Sequence, residues 1–196
     1  DQPVNSWSGG LLPFVSQLLP LPGGMRRRIA DEQAAWLIRE WGGRRPGLQA
    51  TKIRQHQRRF RIGYLSRDFR NNAVGHLTAG MFGLHDRRRF EVTAYSFGPD
   101  DGSVWRRRIQ SGCEHFRDLS DTDPLAAARC IADDGIDVLV DFGGHTGGSR
   151  PEILALRPAP LQVNWLGYPG TFGEGLADYV IADRIVLPAE LEPEYA

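Results

Sequence analysis

Residues 123–142 read DPLAAARCIADDGIDVLVDF, and this stretch decides the fold. Asp123 stands where a helix N-cap belongs, Pro124 suits the first helical position, and Gly135 suits the end of the helix. The run Ile136–Phe142 that follows is apolar on both sides of a strand rather than alternating, as expected of a strand covered on two faces. A helix feeding directly into a doubly buried strand is half of a βαβ unit.

The same alternation runs outward in both directions. Apolar runs lie at 61–66 (RIGYLS), 90–97 (FEVTAYSF), 115–120 (HFRDLS), 161–167 (LQVNWLG) and 178–187 (DYVIADRIVL). Between them, Val74, Leu77, Met81 and Leu84 fall on one helical face, and SVWRRRI at 103–109 reads as a short helix. The expectation is an α/β domain with a doubly wound, Rossmann-like parallel sheet over residues 60–196. Ahead of it, residues 1–22 read as irregular, cut by Gly9, Gly10, Pro13, Pro20 and Pro22. From Arg26 to Trp41, Ala30, Ala34, Leu37 and Trp41 recur at helical spacing, flanked by Ile29 and Trp36, until Gly42 and Gly43 stop the helix. A basic, Gln-rich stretch, Arg44–Arg59, completes a helical connector spanning 1–59.

Composition narrows the function. The 196 residues are 41% hydrophobic, enough for a real core, and carry no net charge. That balance argues against nucleic acid or anionic lipid as the main partner. Basic charge is almost wholly arginine, Lys52 being the only lysine. Its triplets at 26–28, 87–89 and 106–108 read as solvated faces. Cys113 and Cys130 make neither a disulfide framework nor, with His115, a metal spacing, so no metal site is expected. No run reaches the ~18 apolar residues of a membrane span, and no signal peptide is legible, so the expected compartment is the cytoplasm. The abrupt ends read as a piece of a longer protein.

Ligands of open α/β sheets gather beyond the carboxyl ends of the strands. Three segments lie there: SRDFRNNAVGH (66–76), DFGGHTGGSR (141–150) and LGYPGT (166–171). The first holds Asp68 and His76, an acid and an imidazole that suit either proton transfer or, respectively, turn and packing roles. In the second, four glycines around His145 and Thr146 let backbone approach a ligand, or simply make a pliant turn; the pattern is neither G-x-G-x-x-G nor a Walker loop. In the third, Tyr168-Pro169-Gly170-Thr171 suits a type II turn with positive φ at Gly170, a rigid wall for a bound ring.

Together these segments are more specific than any one. RIGYLSRDFRNNAVGHL, FEVTAYSFGPDDGSVWRRRI, HFRDLS, the run from IADDG through LRPAPLQVNWLGYPGTFG, and DYVIADRIVLP resemble, in order and spacing, the catalytic region of protein O-linked N-acetylglucosamine transferases and their SPINDLY-like relatives, from about Leu11 onward. The resemblance implies the first lobe of a GT-B glycosyltransferase, with a second lobe and upstream tetratricopeptide repeats outside this chain. It implies a nucleotide sugar, UDP-N-acetylglucosamine, as donor, a protein Ser or Thr hydroxyl as acceptor, inversion at the anomeric carbon, and neither metal nor cofactor. A non-catalytic binding member and an O-fucosyltransferase using GDP-fucose are the alternatives. The resemblance makes Asp68, Asn72 and His76 the catalytic candidates. Asp68 matches an aspartate near the donor phosphate, and Asn72 stands where the family has a histidine. His145, Thr146, Leu166, Gly167, Tyr168, Pro169, Gly170 and Thr171 are the substrate-binding candidates. A second family histidine aligns with Gly23. Neither Asn nor Gly accepts a proton as imidazole does.

Overall fold

The computed structural model describes residues 12–44 and 59–196. The Arg44–Arg59 connector therefore lies almost wholly outside the described residues. Six strands, β1 (Phe60–Ser66), β2 (Phe90–Ser96), β3 (His115–Asp118), β4 (Val138–Asp141), β5 (Leu161–Trp165) and β6 (Tyr179–Ile181), form one all-parallel sheet in the order β3-β2-β1-β4-β5-β6. The chain winds outward from β1 one way and from β4 the other, so the topological switch point lies between β1 and β4.

Period-2 alternation explains why the strands read as unbroken apolar runs. Leu65, Tyr95 and Leu139 face one layer, with helices α2 (Gly23–Gly42), α5 (Pro124–Asp133) and α6 (Pro151–Ala155). Their neighbours Tyr64, Ala94 and Val140 face the other, with α3 (Ala73–Thr78) and α4 (Val104–Gly112). Both faces are dry, which is what a parallel sheet requires. The Asp123 carboxylate accepts the Ala126 N–H at 2.8 Å to cap α5, and Gly135 leaves it at φ 64°. Along α2, Ala30, Ala34 and Leu37 are buried as their spacing indicates, and Ala34 and Leu37 join the sheet's own core.

Four local expectations fail, each for a physical reason. Residues 1–22 are not wholly irregular, because Pro13–Ser16 forms a short helix, α1, with proline at its start. The Val74–Leu84 stripe is not one helical face: α3 ends at Thr78, a 3-10 turn follows at Phe82–Leu84, and Leu77 and Leu84 are 69% and 84% exposed. Gly80 and Gly83 break the run, and Phe82 rather than Leu84 reaches the core. The last strand stops at Ile181, since the Asp183 carboxylate takes the N–H groups of Ile185 and Val186, both at 2.9 Å, and turns the chain outward.

The fourth concerns arginine. Arg106 is not solvated but 1% exposed. It donates to Ser96 Oγ (2.9 Å) and Asp118 Oδ2 (2.6 Å), keeps Asp100 3.2 Å from Nε, and lies 4.9 Å over the Phe116 ring. Its acidic partners are about half exposed and rehydrate easily, so breaking the pair costs less than a fully buried one would. Arg106→Met should therefore lower unfolding free energy by about 2 kcal/mol in urea titrations, mostly through lost hydrogen bonds and stacking.

Candidate functional site

The rim of the sheet at the switch point is built from three loops. Loop 67–72 leaves β1, and its turn is set when Ser66 Oγ accepts the Asp68 N–H at 2.9 Å. Asn72 then caps α3, its Oδ1 accepting from Val74 N at 3.2 Å. A Cβ on Gly75 would meet Arg70 O at 2.0 Å, so glycine permits this tight return.

Loop 142–150 leaves β4 and is organised from beneath by Asp141, which the sequence reading did not single out. Asp141 is 4% exposed; its carboxylate accepts from Gly143 N (3.1 Å), Gly144 N (2.6 Å) and Asn164 Nδ2 (3.2 Å), tying the loop to β5. Burial pushes its pKa up to about 6 in spite of those three donors. The signal was present as an acid ending a doubly buried strand just before two glycines. At the far end of the loop, Arg150 donates to the carbonyls of Leu119, Thr122 and Ser120 and holds it against the turn after β3.

Loop 166–173 leaves β5. Its turn is not the expected one: positive φ falls at Leu166 (77°) and Gly173 (86°), while Gly170 is not in that region. Contact, not a type II turn, fixes this wall. A Cβ on Gly170 would lie 2.8 Å from the Gln17 amide and from Tyr168 Cζ, and the Tyr195 hydroxyl donates to Pro169 O. Thr171 Oγ1 accepts from Ala196 N at 3.2 Å.

The three loops meet. Arg67 Nη1 donates to Gly147 O at 3.1 Å, joining the first to the second. The His145 ring stands edge-on to Tyr168 at 5.5 Å, and a Cβ on Gly144 would strike Tyr168 at 2.5 Å, joining the second to the third. A Cβ on Gly167 would lie 2.0 Å from Phe142 O and 3.3 Å from Val74, which closes the ring of contacts. His145 is 7% exposed with Nε2 2.8 Å from Phe172 O, and burial lowers its pKa to about 4.

The candidates are not all gathered equally. Asp68 sits at the rim with Oδ1 paired to Arg70 Nη2 at 3.2 Å. His76 is engaged elsewhere: Nε2 lies 2.7 Å from Asn71 Oδ1, and its ring packs 4.4 Å from Trp105 of α4. Thr146 Oγ1 donates to Gly143 O at 2.7 Å and is spent on the loop's own shape. At Gly23 a Cβ would lie 1.5 Å from Glu194 Oε2, so the Glu194 carboxylate end occupies the space beside this glycine and would have to swing aside for a side chain. Among the described residues no group of three His, Cys, Asp or Glu side chains could hold a metal ion.

The profile of Glycosyl transferase family 41 matches residues 8–196. The chain belongs to that family. It is 41% identical over 185 residues to a UDP-N-acetylglucosamine-peptide N-acetylglucosaminyltransferase of Caenorhabditis elegans, covering 91% of this chain and 16% of the relative. It is 32% identical to the Arabidopsis thaliana protein named probable UDP-N-acetylglucosamine-peptide N-acetylglucosaminyltransferase SPINDLY, covering 82% of this chain and 18% of that one. A mutant O-GlcNAc transferase of Thermobaculum terrenum superposes with a TM-score of 0.78 at 30% identity, over 90% of this chain and 33% of the other. The chain thus spans less than a fifth of these curated relatives, and its sheet is the Rossmann-like lobe of a family 41 fold.

Proposed function

We propose that this chain forms the first lobe of a cytoplasmic glycosyltransferase that moves N-acetylglucosamine from UDP-N-acetylglucosamine to Ser or Thr hydroxyls of proteins. The reading rests on one observation, the convergence of loops 67–72, 142–150 and 166–173 at the switch point, where open α/β sheets bind ligands. The family supplies the chemistry: direct displacement with inversion and without a metal, between this lobe and a second one, with upstream tetratricopeptide repeats presenting the acceptor.

In that reaction the acceptor hydroxyl loses a proton while charge grows on the departing diphosphate. On this lobe Asp68 is the group for the proton, a carboxylate in the loop after β1 whose Oδ1 is paired with Arg70 Nη2. Arg70 and Arg67 are positive charges beside it. Leu166, Gly167, Tyr168 and Pro169 form the wall for the sugar. Asn72 acts as helix cap and His76 as a packing group, so neither carries the proton here.

The test is transfer of labelled sugar to a peptide by the full-length protein, with UDP-N-acetylglucosamine and GDP-fucose supplied in separate reactions. Incorporation only from the first supports the reading; incorporation only from the second assigns an O-fucosyltransferase; retained binding of either donor without incorporation from both defeats the catalytic reading. Asp68→Asn should lower turnover about a hundredfold with little change in melting temperature. His76→Ala should leave turnover within about twofold, and a much larger loss would return His76 to the mechanism.

A further inference from the structure

A fourth loop reaches the rim. Residues 97–103, FGPDDGS, leave β2 beside the loop that leaves β1, since Ser66 and Ser96 are paired at the ends of the two strands. The Phe97 N–H donates to Ser66 O at 3.1 Å, and a Cβ on Gly98 would lie 1.9 Å from Arg67 O. The two backbones therefore run in contact where loop 67–72 begins. The fourth loop owes its own shape to local bonds. Asp100 Oδ1 accepts the Gly102 N–H at 2.9 Å and lies 3.2 Å from Nε of buried Arg106, Gly102 takes φ 61°, and Ser103 Oγ accepts from Arg106 N at 3.2 Å to cap α4. Asp101 stands on this fixed base.

From there it reaches across to loop 67–72. Asp101 Oδ2 accepts the Asn71 N–H at 2.7 Å, while Oδ1 accepts the Ser103 N–H at 3.1 Å. A hydrogen bond to an ionised carboxylate is roughly twice as strong as one between neutral groups. The Asn71 N–H, with help from Ser103, holds the Asp101 carboxyl down at about 2, so the acceptor keeps its charge at neutral pH. Asn71 is tied on its other side too. Its Oδ1 lies 2.7 Å from His76 Nε2, and the His76 ring packs 4.4 Å from Trp105 in the first turn of α4. Loop 67–72 is thus gripped at Arg67 by Gly98 and at Asn71 by Asp101, with Asp68 between the two grips. Asp101 is exposed, and losing its bond should scarcely alter the stability of the fold. The consequence is local: displacing a reacting group by about 1 Å costs up to about a hundredfold in rate.

We propose that Asp101 is a positioning residue for the transfer reaction, fixing loop 67–72 through the Asn71 N–H and thereby the place of the Asp68 carboxylate. This rests on the reading of Asp68 as the group that handles the proton. Asp101 itself touches no reacting atom.

The experiment uses the full-length protein. Asp101→Ala should lower turnover of labelled UDP-N-acetylglucosamine onto a peptide about tenfold, with the donor KM within about twofold and the melting temperature within about 2 °C. Asp101→Asn keeps one acceptor oxygen and should recover part of that loss. Combined with Asp68→Asn, Asp101→Ala should cost nothing further, because a group that acts only by placing Asp68 has no effect once the Asp68 carboxylate is gone. Hydrogen exchange read by mass spectrometry, with neither donor nor acceptor present, should be at least about tenfold faster over residues 67–72 of Asp101→Ala and unchanged over residues 124–141. The proposal is overturned if exchange over 67–72 is unchanged, if turnover is unchanged, or if the two losses multiply in the double variant as independent defects do. A wild-type protein that transfers no sugar sinks the transferase reading instead; faster exchange over 67–72 in Asp101→Ala then still supports Asp101 as the group that places Asp68.

Discussion

Gly167→Ala should cost the lobe at least about 3 kcal/mol and abolish transfer in the full-length protein. The added methyl would stand 2.0 Å from Phe142 O, a backbone atom with no rotamer to escape into. Nor can Phe142 shift cheaply. It is 1% exposed and its ring is held by Tyr64 at 5.5 Å, Trp165 at 5.3 Å and Phe69 at 5.8 Å. The strain would separate loop 166–173 from loop 142–150, which removes one wall of the crevice along with the stability. Differential scanning calorimetry should find a melting temperature lower by roughly 10 °C, from the usual ratio for a domain of this size. Gly147→Ala is the control, because a Cβ there meets nothing within 4 Å and φ lies outside the left-handed region. It should be neutral or slightly stabilising, by about 0.5 kcal/mol through a less flexible unfolded chain. Equal melting temperatures for the two variants would refute the contact between the loops.

The difference between those glycines also marks how far sequence reasoning reaches. Periodicity found every strand of the sheet and placed α5 with both its caps, because burial on two faces writes itself into runs such as Ile136–Phe142. The convergence of three loops at one rim followed from parallel topology alone. What the residue string hides is anything decided by a partner distant in sequence. Arg106 sits in an arginine triplet and looks solvated, yet Ser96 and Asp118 draw it inside. His76 stands in the sequence without its two neighbours, Asn71 beside Nε2 and the Trp105 ring of the next helix, which only the fold brings to it. Gly170 suggests a type II turn, but the close approach of Gln17, just past α1, supplies the rigidity, and positive φ falls at Leu166 and Gly173 instead. Asp141 was passed over because an acid at the end of a strand is ordinary; only the three donors converging on it reveal its role.

Asp141 at the end of β4 and His145 four residues on, in the loop it anchors, should give the lobe two opposing pH dependences that conceal each other. Burial raises the Asp141 carboxyl from 3.8 to about 6, so the folded state takes up its proton before the unfolded chain does. Its contribution to stability is fully present below pH 3.8 and is lost as pH climbs through 6. For His145 the folded value of about 4 lies below the unfolded 6.5, so its contribution is intact above pH 6.5 and is lost as pH falls through 4. Between pH 7 and pH 4 each is worth roughly 2–3 kcal/mol, with opposite sign. The wild-type difference across that window, from this pair, is close to zero. Single substitutions expose the halves. Asp141→Asn lowers stability at every pH, because its amide N–H group faces donors, but on top of that offset it leaves His145 unopposed and should become less stable than wild type by a further 2–3 kcal/mol, roughly, on acidification from pH 7 to pH 4. His145→Phe should do the reverse and gain on wild type by a similar amount over the same range. Urea unfolding of all three proteins at pH 7, 5.5 and 4 measures it, the quantity of interest being each variant's difference from wild type. If those differences do not change with pH, the two groups are not buried in the ionisation states described. If they change with opposite slopes, loop 142–150 is held in one shape across the pH range by two groups neither of which could do so alone.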